Sequence, residues 1–133
     1  MVRYLLVDDN EGFLSSIERY LVSLRSSHLI CIGKATSGEE AVRLSAELKP
    51  DLVFMDFAMP GMGGLAATSM IKRVPASPKV VILTIHESNE YRKAATIAGA
   101  DDFMTKSEIT DKMMPLLELM FNQKLEGQRI STQ

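Results

Sequence analysis

Polar residues that could bind and transfer a phosphoryl group occur in four separate segments of the chain. They are Asp8, Asp9, Asp56, Thr84 and Lys106. Carboxylates with no cysteine or histidine among them favour a hard cation such as Mg²⁺ or Mn²⁺. A cation, an ammonium group and a hydroxyl group could each hold one phosphoryl oxygen, and a central aspartate could form an acyl phosphate.

Each of these residues also has an ordinary structural explanation when it is considered alone. Asp8 and Asp9 could cap a helix, and Asp56 could end a strand at a turn. Thr84 could be a hydrogen-bonded loop residue, and Lys106 could be a solvated lysine. The functional interpretation therefore depends on a fold that brings the four segments together.

The apolar patterning predicts five strands that alternate with five helices. The strands are expected at 3–7, 29–34, 52–55, 79–83 and 102–105, and the helices at 12–25, 38–48, 65–74, 87–98 and 111–125. Strict alternation is typical of an α/β protein with a parallel sheet and helices on both faces. Five such units predict a flavodoxin-like (βα)5 doubly wound parallel sheet with strand order 2-1-3-4-5.

This fold would collect the polar segments at one edge of the sheet. In open α/β sheets, ligands bind beyond the carboxyl ends of the strands, where the strand order reverses. That edge would carry Asp8 and Asp9 after strand 1, Asp56 after strand 3, Thr84 after strand 4, and Thr105 and Lys106 after strand 5. Because three converging carboxylates repel one another, the site should hold a cation, and Mg²⁺ is the expected ion.

Composition and charge are those of one ordinary globular domain. The chain has 133 residues and a net charge of −2, which argues against a chain built mainly to bind nucleic acid. No apolar run is long enough to cross a bilayer, and the N-terminal segment does not resemble a signal peptide. Cys31 is the only cysteine, so an internal disulfide is excluded, and we expect it to be a small buried hydrophobe. The expected location is cytoplasmic.

Four motifs carry the polar residues. They read Val7-Asp8-Asp9-Asn10, Asp56-Phe57-Ala58-Met59-Pro60-Gly61-Met62-Gly63-Gly64, Leu83-Thr84 and Gly99-Ala100-Asp101-Asp102-Phe103-Met104-Thr105-Lys106. Together they resemble the receiver domains of two-component response regulators. The resemblance implies a receiver domain over residues 1–126, with residues 127–133 as a polar tail or the start of a linker.

The resemblance also implies a set of ligands for the cation. Asp56 would be the phosphoacceptor, and Asp8 and Asp9 would be the acid pair that holds Mg²⁺ beside it, with Mn²⁺ as an alternative ion. The backbone carbonyl of Ala58, two residues after Asp56, would supply a further ligand.

Two switch positions follow from the same resemblance. Thr84 and Lys106 would contact the phosphoryl group. Phe103 stands at the position of the family's aromatic switch residue, so Thr84 and Phe103 would transmit the change of state. Phe103 could equally be a core aromatic of the last strand.

The implied function is a signalling switch. A sensor histidine kinase would donate the phosphoryl group, and the changed conformation would control an output that we expect to be transcription. A homodimer could form on phosphorylation, and DNA would be bound only through an output domain that is not present in this chain. No membrane partner and no turnover of an external substrate are expected, so the chain is not predicted to be an enzyme.

Two positions depart from the usual family pattern. Ile85 stands where a small residue is usual and could narrow access to the phosphoryl group, and Ser107 stands where many members have proline. Together with His86 and the loop 59–62, they are similar to receivers that precede a helix-turn-helix DNA-binding domain. His86 could also influence the water that hydrolyses the acyl phosphate.

Three alternatives stay open at this point. The chain could be a stand-alone receiver that acts by protein–protein interaction, or a degenerate receiver that only binds a partner. It could also be a Mg²⁺-dependent phosphatase with an aspartyl-phosphate intermediate. Such enzymes usually carry a second aspartate two residues after the nucleophile, and here that position is Ala58.

Overall fold

The computed structural model describes the backbone of residues 1–24 and 28–131, and the side-chain surroundings of 1–24 and 28–121. Five strands alternate with five helices. The strands are β1 (Val2–Val7), β2 (Leu29–Ala35), β3 (Leu52–Asp56), β4 (Lys79–Thr84) and β5 (Asp102–Thr105). The helices are α1 (Glu11–Ser23), α2 (Gly38–Leu48), α3 (Gly64–Ile71), α4 (Asn89–Ala98) and α5 (Ile109–Ser131), and a 3-10 turn (Lys106–Glu108) precedes α5.

The strands form one parallel sheet in the order β2-β1-β3-β4-β5, which confirms the predicted fold class. The order reverses between β1 and β3. This is the point where an open sheet leaves a crevice beyond its carboxyl edge.

Successive side chains of the central strands point to opposite faces of the sheet and pack in two separate cores. Tyr4 and Leu6 of β1 pack in the cluster that α1 and α5 cover, together with partly buried Cys31. Leu5 and Val7 pack in the cluster that α2, α3 and α4 cover. Because both faces of β1 and β3 are buried, these strands are apolar except at exposed Arg3 and at Asp56, as parallel strands usually are.

Polar side chains decide where three helices begin. Asn10, Ser37 and Ser88 accept hydrogen bonds from backbone N–H groups in the first turns of α1, α2 and α4. Asn10, and neither aspartate before it, is therefore the cap of α1, which begins at Glu11 and not at residue 12. For the same reason α4 begins at Asn89, two residues later than predicted. α1 ends at Ser23, because Leu24 is already extended (φ −66°, ψ 141°), so the predicted end at residue 25, which lies outside the described residues, is too late.

One of the next two helix ends differs from the prediction. α3 ends at Ile71, where residue 74 was expected; Pro75 disfavours the helical conformation at residue 74 itself. α4 ends as predicted at Gly99, whose φ is 100°, a conformation that glycine adopts without strain.

α5 is longer than predicted, and its start and end both differ. It begins at Ile109, because Thr105 and Glu108 form a reciprocal capping box across the 3-10 turn. Its irregularity lies at Phe121 (φ −127°, ψ 30°), whereas Pro115 lies inside the helix. The backbone is helical to Ser131, so the expected end at Leu125 is wrong. One glycine costs a helix only about 1 kcal/mol relative to alanine. Residues 132 and 133 lie outside the described residues.

Among the residues that the structure describes, no helix has both the length and the apolar character that a membrane span requires.

The contact between α3 and the end of β3 yields a prediction about stability. A Cβ atom at Gly64 would lie 1.9 Å from the backbone carbonyl oxygen of Asp56, and no side-chain rotation can relieve that overlap. We expect Gly64→Ala to lower the free energy of unfolding by at least about 2 kcal/mol in urea denaturation. Gly63→Ala is the matched control, because its nearest neighbour would be the Phe57 carbonyl at 3.8 Å. Equal effects of the two substitutions would contradict this account.

Candidate functional site

Four polar side chains lie at the carboxyl edge of the sheet, as predicted. They are Asp8 after β1, Asp56 at the end of β3, Thr84 at the end of β4 and Lys106 after β5. The strand register aligns them, because Asp56 pairs with Leu83 and Thr84 pairs with Thr105. Residues from distant parts of the chain therefore end at one level of the sheet.

The three carboxylates form a compact cluster that could hold a metal ion. One oxygen from each of Asp8, Asp9 and Asp56 lies within 4.8 Å of the others. Asp8 and Asp56 are buried, at 1% and 8% exposed, whereas Asp9 is exposed. An all-oxygen set that is open to solvent on one side fits Mg²⁺, which usually keeps several water ligands. Ala58 lies at an exposed position in the loop after β3, and the role of its carbonyl stays a prediction.

Lys106 brings a positive charge into this cluster. Its Nζ donates a hydrogen bond to Asp8 Oδ2 at 2.6 Å and lies 3.5 Å from Asp56 Oδ1. The same atom lies 4.0 Å from the centroid of the Phe13 ring, in a cation–π contact. Lys106 therefore bridges two of the three carboxylates, and its ammonium also contacts α1.

The Lys106 ammonium does not fully offset the negative charge at Asp56. The pKa of Asp56 is raised from 3.8 to about 6, chiefly by burial of the carboxyl and next by the negative charge of Asp8. Lys106 acts in the opposite direction and lowers the pKa, but it does not cancel the first two effects. The cluster thus carries more negative charge than one ammonium group balances.

Thr84 is buried, and its hydroxyl oxygen accepts a hydrogen bond from the backbone N–H of His86 at 3.2 Å. Ile85 is 71% exposed, so most of its side chain lies in solvent. His86 is also exposed, at the rim of the site. Whether Ile85 or His86 alters the chemistry of the site stays a prediction.

Glu39 of α2 holds the loop between β3 and α3. Its carboxylate accepts a hydrogen bond from the Met62 backbone N–H at 2.8 Å, which lowers the pKa of Glu39. Gly61, in the same loop, has a φ of 73°. Sequence analysis gave Glu39 no role, because no motif connects it to a loop 23 residues away.

Phe103 is buried, at 6% exposed, and Arg92 of α4 lies against it. The Arg92 guanidinium lies 4.8 Å from the ring centroid and donates a hydrogen bond to the Phe103 carbonyl at 3.2 Å. It also lies 3.8 Å from a carboxylate oxygen of Glu108. Sequence analysis missed Arg92, which has no local signal, whereas the Thr105–Glu108 spacing could have indicated the capping role of Glu108.

An aromatic contact connects the residue after Asp56 to α4. Phe57 stacks on Tyr91, with ring centroids 4.4 Å apart and an interplanar angle of 23°. His86 meets Tyr91 edge-on at 6.2 Å. The loops after β3 and β4 therefore both contact α4 beside the site.

Comparison with known proteins agrees with this geometry. Residues 4–118 match the family described as the response regulator receiver domain. The chain is 39% identical over 121 residues to response regulator GacA of Pseudomonas viridiflava, and the match covers 91% of this chain and 56% of that protein. It is 33% identical over 129 residues to response regulator UvrY of Escherichia coli K12, with coverages of 97% and 56%.

A solved structure shows the same similarity in three dimensions. The two-component response regulator of the LuxR family from Aurantimonas sp. SI85-9A1 superposes with a TM-score of 0.79 at 27% identity, and the match covers 98% of this chain and 99% of that one. The chain spans 56% of the length of the two curated relatives. From the edge-of-sheet cluster and the match over residues 4–118, we conclude that this chain belongs to the response regulator receiver domain family.

Proposed function

We propose that the chain is a phosphorylation-dependent signalling switch in which Asp56 accepts the phosphoryl group. The observation that carries this proposal is the position of the Asp56 carboxylate, buried beside Asp8 and 3.5 Å from the Lys106 ammonium. A nucleophilic carboxylate between a cation site and an ammonium group is what transfer to an aspartate requires.

Mg²⁺ is the cofactor that we propose for this site, with Mn²⁺ as an alternative. Asp8, Asp9 and Asp56 would hold the ion, and the Ala58 carbonyl would complete the protein ligands. The support is the all-oxygen donor set within 4.8 Å and the negative charge of Asp8, which adds to burial in raising the pKa of Asp56. The bound ion would neutralise charge on the phosphoryl oxygens during transfer.

Asp56, Lys106 and Thr84 would each have a separate role in the transfer. An Asp56 carboxylate oxygen would attack the phosphorus of a phosphohistidine, so that a P–O bond forms while the P–N bond breaks and its electron pair stays on the imidazole nitrogen. The Lys106 ammonium lies where it could pair with a developing negative charge. The Thr84 hydroxyl, at the end of the neighbouring strand, would donate a hydrogen bond to another phosphoryl oxygen.

The conformational response would run through Thr84 and Phe103 to α4. Movement of the Thr84 hydroxyl towards the phosphoryl group would release space that Phe103 could enter. Arg92 contacts the Phe103 ring and carbonyl, so a shift of this aromatic residue would disturb the packing of α4 against β5. The phosphoryl group would thereby favour one of two existing states of this face.

The kinase and the output are proposals drawn from the family. Both curated relatives are named response regulators, and the Aurantimonas structure is named as a member of the LuxR family. We propose a sensor histidine kinase as phosphodonor, control of transcription through a helix-turn-helix output domain, homodimerisation as a possible response, and a cytoplasmic location. A stand-alone receiver that acts through protein contacts is the alternative.

Turnover of an external substrate is the less favoured function. A phosphatase of this type would need an acid two residues after Asp56 to protonate a leaving group. Ala58 occupies that position and has no ionisable group. We therefore propose that the chain catalyses only its own phosphorylation and dephosphorylation.

The proposal predicts a single covalent adduct. After incubation with Mg²⁺ and acetyl phosphate, intact-mass spectrometry should show one added phosphoryl group, because Asp56 is the one proposed nucleophile. Asp56→Asn should show none, and EDTA should prevent the adduct in the unsubstituted protein. Glu87→Gln, which removes an exposed carboxylate outside the cluster, should be modified as the unsubstituted protein is.

Absence of the adduct would have two different meanings. If Mg²⁺ does not bind either, the phosphoacceptor proposal fails, and a partner-binding domain remains. If Mg²⁺ binds and no adduct accumulates, Ile85→Ala tests obstruction of the site. An adduct that persists in Asp56→Asn would contradict the assignment of the nucleophile.

The charge imbalance predicts an unusual pH dependence of stability. Because the pKa of Asp56 in the folded domain, about 6, lies above its ordinary value of 3.8, ionisation of this carboxyl opposes folding. In EDTA we expect Asp56→Asn to raise the free energy of unfolding by about 2–3 kcal/mol at about pH 7.5. The gain should shrink as the pH falls through 6 and vanish below about 4, as measured by urea denaturation at each pH.

Mg²⁺ should remove most of this difference in stability between the two proteins. At about 100 times its dissociation constant, a bound ion adds about 2.7 kcal/mol to the stability of the protein that binds it, and Asp56→Asn should gain much less. Glu87→Gln serves as the control for loss of one negative charge. A lower stability of Asp56→Asn in EDTA at neutral pH would contradict the charge imbalance.

A further inference from the structure

The Phe13 ring is the least expected contact of the site. Its centroid lies 4.0 Å from Lys106 Nζ, and this ammonium also contacts Asp8 and Asp56. An ammonium group over an aromatic face is attracted by the electron-rich ring, more strongly where water is partly excluded. The Lys106 side chain is 18% exposed, so water is partly excluded here.

The partners of Lys106 are not equivalent. The shortest contact is with Asp8, at 2.6 Å, whereas Asp56 lies at 3.5 Å. Asp8 and Asp56 are both proposed ligands of the cation, and a carboxylate that binds a metal interacts less strongly with an ammonium group. Among the described contacts of the Lys106 ammonium, the one with the Phe13 ring is therefore the contact that involves no proposed ligand of the cation.

Phe13 is itself well fixed. Its backbone N–H donates to the Asn10 side chain at 3.0 Å, and Asn10 N–H donates to Asp8 Oδ1 at 2.9 Å. Its side chain is partly buried against the core that α1 and α5 cover. The backbone of Phe13 is therefore connected through two hydrogen bonds to the segment that carries Asp8 and Asp9.

We propose that Phe13 is a positioning residue for the phosphorylation reaction, which holds the Lys106 ammonium against Asp56 by a cation–π contact. The inference rests on the proposed function. It adds to it a residue that touches neither the phosphoryl group nor the bound metal ion. Substitution of Phe13 should change the phosphorylation rate only when Lys106 is present. The change should depend on the aromatic face of residue 13 and not on its apolar volume.

A double-mutant cycle tests this dependence. We expect Phe13→Leu, which keeps an apolar side chain, to slow phosphorylation by acetyl phosphate at saturating Mg²⁺ by about 3- to 30-fold. Phe13→Tyr keeps the aromatic face and should stay within about twofold of the unsubstituted rate. In a Lys106→Met background, Phe13→Leu should cause no further slowing. Using a small phosphodonor keeps kinase docking out of the comparison.

A second readout needs neither Mg²⁺ nor phosphorylation. In EDTA, the ring current of Phe13 should shift the Lys106 ε-methylene protons upfield in the NMR spectrum. Phe13→Leu should return them to the values of a solvated lysine, and Phe13→Tyr should keep the shift. Far-UV circular dichroism and urea denaturation should show that each variant is folded.

The outcomes separate this inference from the proposed function. If the unsubstituted protein neither binds Mg²⁺ nor takes a phosphoryl group, the proposed function fails, and the NMR measurement still decides whether the ring holds Lys106. If the unsubstituted protein is phosphorylated and Phe13→Leu reacts at the same rate, the inference about Phe13 is overturned. Equal slowing by Phe13→Leu with and without Lys106 would also overturn it, because the effect would then not pass through the lysine.

Discussion

The burial of like charges at the carboxyl edge of the sheet is the constraint on which the site depends. Asp8 and Asp56 are both buried, and their mutual repulsion adds to the desolvation that raises the pKa of Asp56. One ammonium group, that of Lys106, lies between them and does not balance the charge. A cation bound at such a cluster would reduce the uncompensated charge, and the domain would gain stability from it.

The surrounding fold holds this unfavourable arrangement in place. Gly64 lets α3 begin directly against the backbone of Asp56, where a side chain would not fit. Glu39 fixes the loop after β3 through the Met62 backbone, and Asn10 connects the loop after β1 to the first turn of α1. Each of these contacts involves the beginning of a helix, close to the sheet edge. The site is therefore built on rigid elements, and the energy of the two apolar cores supports it.

Contacts of α4 join it to two elements beside the site. Phe57 stacks on Tyr91, and Arg92 lies on Phe103, so α4 contacts both the loop after Asp56 and the strand that precedes Lys106. Neither contact was predicted, because aromatic and arginine side chains of a surface helix have no local pattern that names their partners. The order of the strands, in contrast, was predicted correctly, since it follows from the alternation of elements and the packing of a twisted sheet.

The sequence by itself determined the strands, the helices and the position of each polar residue at a strand end, because apolar periodicity and helix caps are local properties of the chain. Helix ends were the main errors, as at residue 74 and Leu125, where a following proline or a tolerated glycine decided the outcome. Only the tertiary structure decided that Lys106 pairs with Asp8, 98 residues away, and lies over the Phe13 ring. Such contacts depend on the spacing of packed elements and on the direction of side chains across the sheet edge, neither of which is written in any short segment.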